Sequence, residues 1–260
     1  MTIAERTPNI VSPDPKSADE LIEYYRHVRA FTEKMCEPMV NEDYVIQSMP
    51  DVSPTKWHLV HTTWFFETFI LGNNYPNYEP LNKQYNYLFN SYYNAVGEQF
   101  CRPRRGQISR PMVSEVYDYR HYVDEKMVDL IGRLGQDGAL DGIRAVIVLG
   151  VNHEQQHQEL MATDIKHVLS MNPLRPTLYE RPADPEPVGV PRLEWLRYEG
   201  GVYDIGWKAS RFAFDNEGPQ HKEYANAFEI GSRLVTNGEF LEFMNDGGYQ
   251  RPDVWLSFGW

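Results

Sequence analysis

The chain has 260 residues, of which 42% are hydrophobic and 24% charged, a composition typical of folded proteins. Its net charge of −12 argues against a nucleic-acid partner, because phosphate contacts need a basic surface. No apolar run reaches the roughly 18 residues of a membrane-spanning helix, and the first residues lack the basic-then-apolar pattern of a secretion signal. Cys36 and Cys101 form no C-x-x-C motif, which suits a reducing cytoplasm better than a disulfide-linked scaffold. Together these features predict a cytoplasmic protein without a membrane partner.

Four long helices are predicted in the first two thirds of the chain. A capping box at residues 17–20 begins the first, whose apolar and aromatic positions continue to Met39. Residues 53–54, Ser-Pro, begin the second, with proline at the first helical position. The third is predicted at residues 114–134 and the fourth at residues 141–169. Long helices with apolar stripes indicate a helical bundle.

A tyrosine-rich stretch lies between the second and third predicted helices, and it leads into the basic segment 102–106, Arg-Pro-Arg-Arg-Gly. Proline and glycine interrupt this region, so at least part of it is predicted to be loop. Loops often carry functional residues. The tyrosines are Tyr75, Tyr78, Tyr85, Tyr87, Tyr92 and Tyr93.

The composition changes near residue 173. Frequent prolines between residues 173 and 192 exclude a helix there and predict an interdomain linker. Strand-like runs at residues 201–206 and 211–215 and a helix at residues 236–245 then predict an α+β region. This region is small for an independent core, so we expect the chain to be a fragment. The predicted domains are residues 1–172 and 193–260.

His153 and His157 are the strongest chemical signal in the sequence. A spacing of four residues places their side chains about 40° apart around a helix, so both can reach one metal ion. Imidazole is the commonest protein ligand for zinc, iron and copper. The alternative is that the two histidines lie on a helix surface or in a core without a ligand role.

A third ligand is expected from another helix. The candidates are His58 and His61 in the second predicted helix. Their side chains project about 60° apart around that helix, so the two need not share one role. Glu159 lies about 240° from His153 around the helix and is not expected to bind the same metal. Gln156, about 60° from His153, is expected at the edge of the metal pocket.

Residues 153–157 also fit the H-E-x-x-H motif of zinc hydrolases, in which Glu154 would activate water. The motif is a weak signal because it has only three specified letters. The third histidine of its longer form is absent, and the glutamate at a suitable distance, Glu180, lies in the proline-rich segment. A zinc hydrolase therefore stays as an alternative.

Further motifs are spread along the chain, at residues 53–67, 102–106, 153–159 (H-x-x-x-H-x-E), 214–219, 234–240 and 246–249. Together they resemble the sulfoxide synthases of ergothioneine biosynthesis, and the match covers nearly the whole chain. The resemblance implies a DinB-like four-helix bundle followed by the start of an α+β, C-type-lectin-like domain similar to the formylglycine-generating enzyme. It also implies that the second domain continues beyond residue 260, in the full-length chain or in a second chain.

The resemblance implies a non-haem iron(II) enzyme. Such an enzyme uses O2 to join the sulfur of cysteine or γ-glutamylcysteine to the imidazole of hercynine (N-α-trimethylhistidine), and it yields a sulfoxide. Carried over to this sequence, the Fe(2+) ligands are His61, His153 and His157, and His58 is left as a neighbour. Three histidines leave three positions of an octahedral iron for the thiolate, the hercynine imidazole and O2.

The resemblance also assigns roles to residues around the metal. Arg102 and Arg105 are positioned like arginines that bind the carboxylate of the thiol substrate, a task that suits guanidinium; the alternative is a solvated basic loop. Gln156 matches a residue that contacts hercynine. Tyr92 and Tyr93 are the local candidates for a catalytic tyrosine, although in some relatives that tyrosine lies in the second domain. Without the rest of that domain we expect this chain to bind iron but to be a poor catalyst.

Two further functions remain open besides the hydrolase. One is a metal-dependent thiol transferase on the same kind of bundle, which activates a thiol with zinc or nickel and without O2. The other is a non-enzymatic helical scaffold whose histidines only pack. Metal content and O2 uptake separate these alternatives from the sulfoxide synthase.

Overall fold

The computed structural model describes residues 15–180, 183, 189–208 and 211–260. The chain divides into two compact units, Met1–Ala183 and Asp184–Trp260. The boundary falls inside the segment predicted as a linker, most of whose central residues lie outside the described ones. The domain limits drawn from the sequence stay a prediction.

The first unit is helical. Among its described residues, short turns of 3₁₀-helix cover Asp43–Val45 and Arg102–Gln107, and a π-helical turn covers Glu67–Leu71. Its α-helices are α1 (Ala18–Cys36), α2 (Thr55–Phe66), α3 (Gly72–Asn74), α4 (Tyr85–Phe89), α5 (Val113–Gln136) and α6 (Asp141–Met171).

The four long predicted helices are present, with differences at their ends. The capping box of Ser17 and Glu20 begins α1 as predicted, but the helix ends at Cys36, short of Met39. Pro54 is the cap of α2 rather than its first helical residue. In the tyrosine-rich region, α4 interrupts what is otherwise irregular backbone, which agrees with a prediction of partial loop. The first unit is therefore mostly helical, as the sequence indicates.

Helix α2 is the centre of this unit because all of its residues are buried. It packs against α5 and α6, and α1 packs against the same two helices. A helix enclosed on all sides needs apolar or hydrogen-bonded side chains all round, and α2 supplies both kinds. Its buried polar residues are therefore candidates for a functional role.

Gly150 allows α6 to approach α2 closely. A Cβ atom there would lie 2.6 Å from Cε1 of Phe66 and 2.8 Å from Cε1 of Phe65, closer than real side chains tolerate. Glycine has no Cβ, so the two helices can meet at this position. The contact lies just before His153 and brings the histidine-bearing part of α6 against α2.

The second unit contains short strands and one longer helix. Strands β1 and β4 pair antiparallel in one two-stranded sheet, and β2 and β3 pair antiparallel in another. The helix predicted at residues 236–245 is present, and Thr236 caps it with a capping box. The elements are β1 (Trp195–Tyr198), β2 (Gly201–Ile205), β3 (His221–Ala225), β4 (Phe228–Gly231) and α7 (Asn237–Asn245).

The strand predictions for this unit were partly wrong. The run at residues 201–206 is strand β2, but the run at residues 211–215 is not a strand. There the backbone N–H of Phe214 donates to the Glu217 carboxylate at 2.7 Å, so a turn takes up a donor that a strand ladder would need. Strands β1, β3 and β4 were missed because they are mostly exposed on both faces and carry no alternating pattern.

The described residues thus form a helical unit and a small α+β unit. None of the helices in this described part combines the length and apolar character that crossing a bilayer requires.

Candidate metal centre

The structure brings His61 of α2 together with His153 and His157 of α6. Each ring offers a nitrogen such that all three atoms lie within 4.8 Å of one another. The ring centroids are 4.7 Å apart for His61 and His157 and 4.6 Å apart for His153 and His157. Atoms at this separation can share one ion, and no other such group of histidine, cysteine or acidic side chains occurs among the described residues.

Aromatic packing holds the ring of His61. Trp57 stacks on it at 4.5 Å with an interplanar angle of 13°, and Trp64 stacks on it at 5.6 Å and 18°. Its Nδ1 donates to the backbone carbonyl of Phe89 at 2.6 Å. The other ring nitrogen, Nε2, therefore carries the lone pair that a metal needs.

His157 is held by side chains instead. Its Nδ1 lies 2.8 Å from Nδ1 of His58, and Nε2 of His58 lies 3.0 Å from the Asp164 carboxylate. His58, the other histidine considered in the second helix, is thus in contact with His157 and is not one of the three clustered histidines. The Nδ1 atom of His153 is buried and has no hydrogen-bond partner among the described residues.

All three clustered imidazoles are neutral at neutral pH. Burial lowers the pKa of His153 to about 4. Burial, followed by repulsion from His153, brings the pKa of His61 well below its ordinary value, and burial with repulsion from His61 does the same for His157. Neutral imidazoles with two orienting hydrogen bonds and one unpartnered nitrogen fit a transition-metal site.

The cluster faces a cavity of about 610 Å³. A larger cavity of about 820 Å³, with mostly apolar walls that include Met35, Ile165 and Leu169, contains none of the clustered histidines. Chemistry rather than size therefore identifies the smaller cavity as the site. Its walls include every residue to which the resemblance assigned a metal, substrate or catalytic role: Tyr92, Tyr93, Arg102, Arg105, Gln156, His61, His153 and His157.

Arg105 forms a positively charged part of the wall. Its guanidinium is buried, lies 3.4 Å from the ring centroid of Trp57, and donates to Ser53 Oγ at 2.9 Å and Ser91 Oγ at 3.2 Å. Burial and the neighbouring Arg102 lower the pKa of Arg105 to about 10, which leaves it charged at neutral pH. Its Nε has no hydrogen-bond partner among the described residues.

Arg102 lies beside Arg105, and its guanidinium also has one nitrogen without a hydrogen-bond partner among the described residues. Its two terminal nitrogens donate to the Tyr92 hydroxyl at 2.7 Å and to the Asp51 carbonyl at 2.6 Å, whereas its Nε is buried without a partner in the described part of the chain. No acid there lies within ion-pair distance of either arginine. Two such guanidinium groups suit an anionic ligand.

The remaining candidates line the cavity in different ways. Tyr92 is exposed and bonds to Arg102, whereas Tyr93 is half-buried against Trp64 and Phe69. Gln156 is exposed at the cavity wall. Glu159 is absent from the metal cluster, in agreement with the helical angle, yet it also lines the cavity.

Glu154 faces away from this chemistry. It is fully buried and accepts hydrogen bonds from Arg120, from Arg29 at 2.8 Å and from Thr32 at 2.6 Å. Burial alone would raise its pKa, but Arg120 and Arg29 outweigh burial and lower the pKa to about 2. A carboxylate enclosed in this way is not available to activate water, which argues against the zinc hydrolase.

The sequence assigned no site role to several residues that contact the arginines or histidines of this site: Ser53, Trp57, Ser91 and Asp164. A signal for Asp164 was present, because it lies seven residues after His157 and two helical turns place it on the same face. The roles of Ser53 and Trp57 depend on contacts with Arg105, which no local spacing reveals.

No family model matches the chain. The chain is 29% identical over 221 residues to a hercynine oxygenase of Mycolicibacterium smegmatis, with 82% of this chain and 47% of that protein aligned. It is 30% identical over 219 residues to the hercynine oxygenase of Mycolicibacterium thermoresistibile (81% and 45%), and 28% identical over 248 residues to that of Mycobacterium tuberculosis (94% and 55%). The chain spans about half the length of these curated relatives, and most of it is similar to them.

Proposed function

We propose that this chain carries the iron(II) centre of an O2-dependent sulfoxide synthase of ergothioneine biosynthesis. The enzyme joins the sulfur of cysteine or γ-glutamylcysteine to the imidazole of hercynine. The observation that carries the proposal is the convergence of three neutral imidazoles, from two helices, on a cavity that is also lined by two arginines without acidic partners in the described part of the chain. Similarity to proteins named hercynine oxygenase supports the substrate.

His61, His153 and His157 hold the iron in this proposal. Iron supplies one-electron chemistry with O2, which zinc does not. The protein's part is to present neutral nitrogens: the Phe89 carbonyl orients His61, and His58 contacts the far nitrogen of His157. The buried pair Trp57 and His61 keeps this wall of the cavity dry and rigid.

Arg102 and Arg105 bind the carboxylate of the thiol substrate. Both arginines line the cavity, and the Nε of each has no hydrogen-bond partner in the described part of the chain, so an arriving carboxylate would supply an acceptor and a counter-charge. The hydrogen bonds to Ser53 and Ser91 hold Arg105 in place before substrate arrives, so little side-chain freedom is lost on binding.

Gln156 contacts hercynine from the α6 wall, and Tyr92 and Tyr93 are the candidates for proton donor. Tyr92 also fixes one terminal nitrogen of Arg102, which links the tyrosine to the thiol subsite. Holding both substrates beside one metal converts a reaction of three components into an intramolecular one.

The proposal includes the architecture and location implied by the resemblance. The helical unit is a DinB-like bundle, the α+β unit is the beginning of a formylglycine-generating-enzyme-like domain, and the protein acts in the cytoplasm. A further part of the full-length chain, or a second chain, completes the hercynine pocket.

The test is anaerobic loading of the protein with iron(II), followed by hercynine and either cysteine or γ-glutamylcysteine in air. Enzyme in stoichiometric amounts lets a slow reaction be detected. We expect O2 uptake that requires both substrates, and a product whose mass equals the sum of both substrates less two hydrogen atoms plus one oxygen atom, the second oxygen atom leaving as water.

A thiol transferase on the same bundle predicts a different outcome, because the same histidines and arginines would serve zinc and a thiolate. Preference for zinc, with thiol transfer and no O2 uptake, would establish that alternative. Iron-loaded protein that consumes no O2 with both substrates would overturn the sulfoxide synthase. The Arg104→Lys variant, exposed in the same basic segment, serves as the unchanged control.

A further inference from the structure

Asp164 lies on the metal-facing side of α6 without belonging to the histidine cluster. Seven residues separate it from His157, so the two side chains project within about 20° of the same direction, two turns apart. The Asp164 side chain is 15% exposed, and its Oδ2 accepts from the backbone N–H of Ser53 at 2.9 Å and from His58 Nε2 at 3.0 Å. It thus connects α6 to the residues that begin α2.

Asp164 is linked to His157 through His58 by two hydrogen bonds. These bonds allow only one placement of the protons when His157 binds a metal. A metal ligand needs a lone pair, and with Nδ1 engaged by His58 the free nitrogen of His157 is Nε2. Nδ1 of His157 must then carry the proton and donate it to Nδ1 of His58. That donation requires His58 to hold its own proton on Nε2, where the Asp164 carboxylate accepts it at 3.0 Å.

Among the described residues, the other two histidines of the cluster have no side-chain hydrogen bond of this kind. His61 donates to a backbone carbonyl, which no substitution of a side chain removes directly. His153 Nδ1 has no hydrogen-bond partner in the described part of the chain. Among the three, His157 is the one whose Nδ1 has a hydrogen bond to a side chain in that part.

We infer that His58 and Asp164 are positioning residues that fix the Nδ1–H tautomer and the ring orientation of His157 for metal binding. The inference rests on the metal site in the proposed function, but not on the identity of the substrates. Partners outside the coordination sphere that act in this way typically contribute about 10–100-fold to metal affinity.

A purely structural role is the competing explanation, because Asp164 also binds the backbone of Ser53 next to the start of α2. Loss of the carboxylate would then weaken folding without acting through the tautomer of His157. The experiment therefore needs one readout on the metal and another on the protons of His157.

The variants are His58→Phe, which removes both ring nitrogens, and His58→Gln, whose amide can accept from His157 and donate to Asp164. Asp164→Asn removes the charge but keeps an acceptor oxygen. The matched control is His167→Gln: His167 lies on the same helix and bonds through Nδ1 to Ser48 Oγ at 2.7 Å, but it does not line the cavity.

Cobalt(II) is the metal probe, titrated into each metal-free protein and followed by its visible spectrum. We expect about 10–100-fold weaker binding in His58→Phe, a smaller loss in Asp164→Asn, partial rescue in His58→Gln and no change in His167→Gln. Nitrogen-15 NMR of the metal-free wild type should show His157 protonated on Nδ1, and this preference should disappear in His58→Phe.

Wild-type His157 protonated on Nε2 would overturn the inference without any variant, so a failure of His58→Phe to fold does not protect it. Unchanged cobalt affinity in a folded His58→Phe protein would overturn it as well. Wild-type protein that binds no cobalt would overturn the metal site itself. Normal metal binding with the expected losses, but no sulfoxide product, would overturn only the proposed reaction.

Discussion

Two polar clusters lie on different faces of α6 and begin at the adjacent residues His153 and Glu154, which project about 100° apart around the helix. Glu154 points into a buried network with Arg29, Arg120 and Thr32, where both carboxylate oxygens are bonded. His153 belongs to the cavity, where its own Nδ1 and the Nε atoms of Arg102 and Arg105 are buried without partners among the described residues. Both clusters are rich in charge or titratable groups, but only one has unused hydrogen-bonding capacity.

This difference separates scaffold from site. A buried charge network tolerates low dielectric when every group is paired, and it then holds helices together without binding anything. A buried donor without a partner costs free energy that a ligand can recover. Burial and unusual pKa values occur in both clusters, so neither property alone identifies the functional one.

The largest expected effect comes from breaking the scaffold cluster. Glu154→Gln removes the charge that pairs two buried arginines, and it should lower the free energy of unfolding by about 3–5 kcal/mol in urea denaturation of the metal-free protein. Glu33→Gln is the control: Glu33 is partly exposed and pairs with the same Arg120 at 3.1 Å, so its loss should cost about 1 kcal/mol or less. Normal stability of Glu154→Gln with activity abolished would reverse the assignment of the two clusters.

The second-largest expected effect comes from removing one histidine of the metal site. His153→Ala should weaken iron(II) binding by more than ~100-fold, beyond the range of residues outside the coordination sphere. The unfolding free energy of the metal-free protein should change by no more than about 1 kcal/mol, because His153 stabilises little without metal. Anaerobic titration against a competing chelator measures the affinity, with His121→Ala on the exposed surface of α5 as control. Unaltered iron affinity in His153→Ala would remove this histidine from the ligand set.

A smaller effect tests the two arginines that lack acidic partners among the described residues. Arg105→Lys should raise the dissociation constant of cysteine or γ-glutamylcysteine about 10–100-fold, because lysine cannot supply the planar fork that Arg105 offers. Isothermal titration on iron-loaded protein without O2 measures this. Arg104→Lys, exposed in the same 3₁₀-helix, should leave binding within about twofold. Equal losses of thiol affinity in both variants would indicate that the basic segment attracts the substrate by its overall positive charge, rather than through a specific carboxylate site at Arg105.

The smallest effect sharpens the boundary of the site. Glu159 lines the cavity but stands outside the histidine cluster, so Glu159→Gln should change the free energy of unfolding by less than about 0.5 kcal/mol and leave iron affinity unaltered. The same chelator competition measures it. A tenfold loss of iron affinity would make Glu159 a ligand and show that the helical angle argument is wrong.

Much of the helical unit could be read from local patterns. The capping box of Ser17 and Glu20 predicts the start of α1. Helical periodicity places His153 and His157 on one face, as the structure has them. In the second unit the same reasoning found β2 and the start of α7 but missed exposed strands, since their residues lack the two-sided contrast that periodicity detects.

What the sequence by itself determined is therefore local: helix periodicity paired the two histidines, and resemblance to a family proposed His61 as the third. Only the tertiary structure decided that His61 rather than His58 joins their cluster, that Glu154 is enclosed among arginines, and that Asp164 reaches His58. The physical reason is that spacing along one helix sets angles around that helix alone. Which residues of two helices meet depends on how closely they pack, and here Gly150 against Phe66 sets that distance.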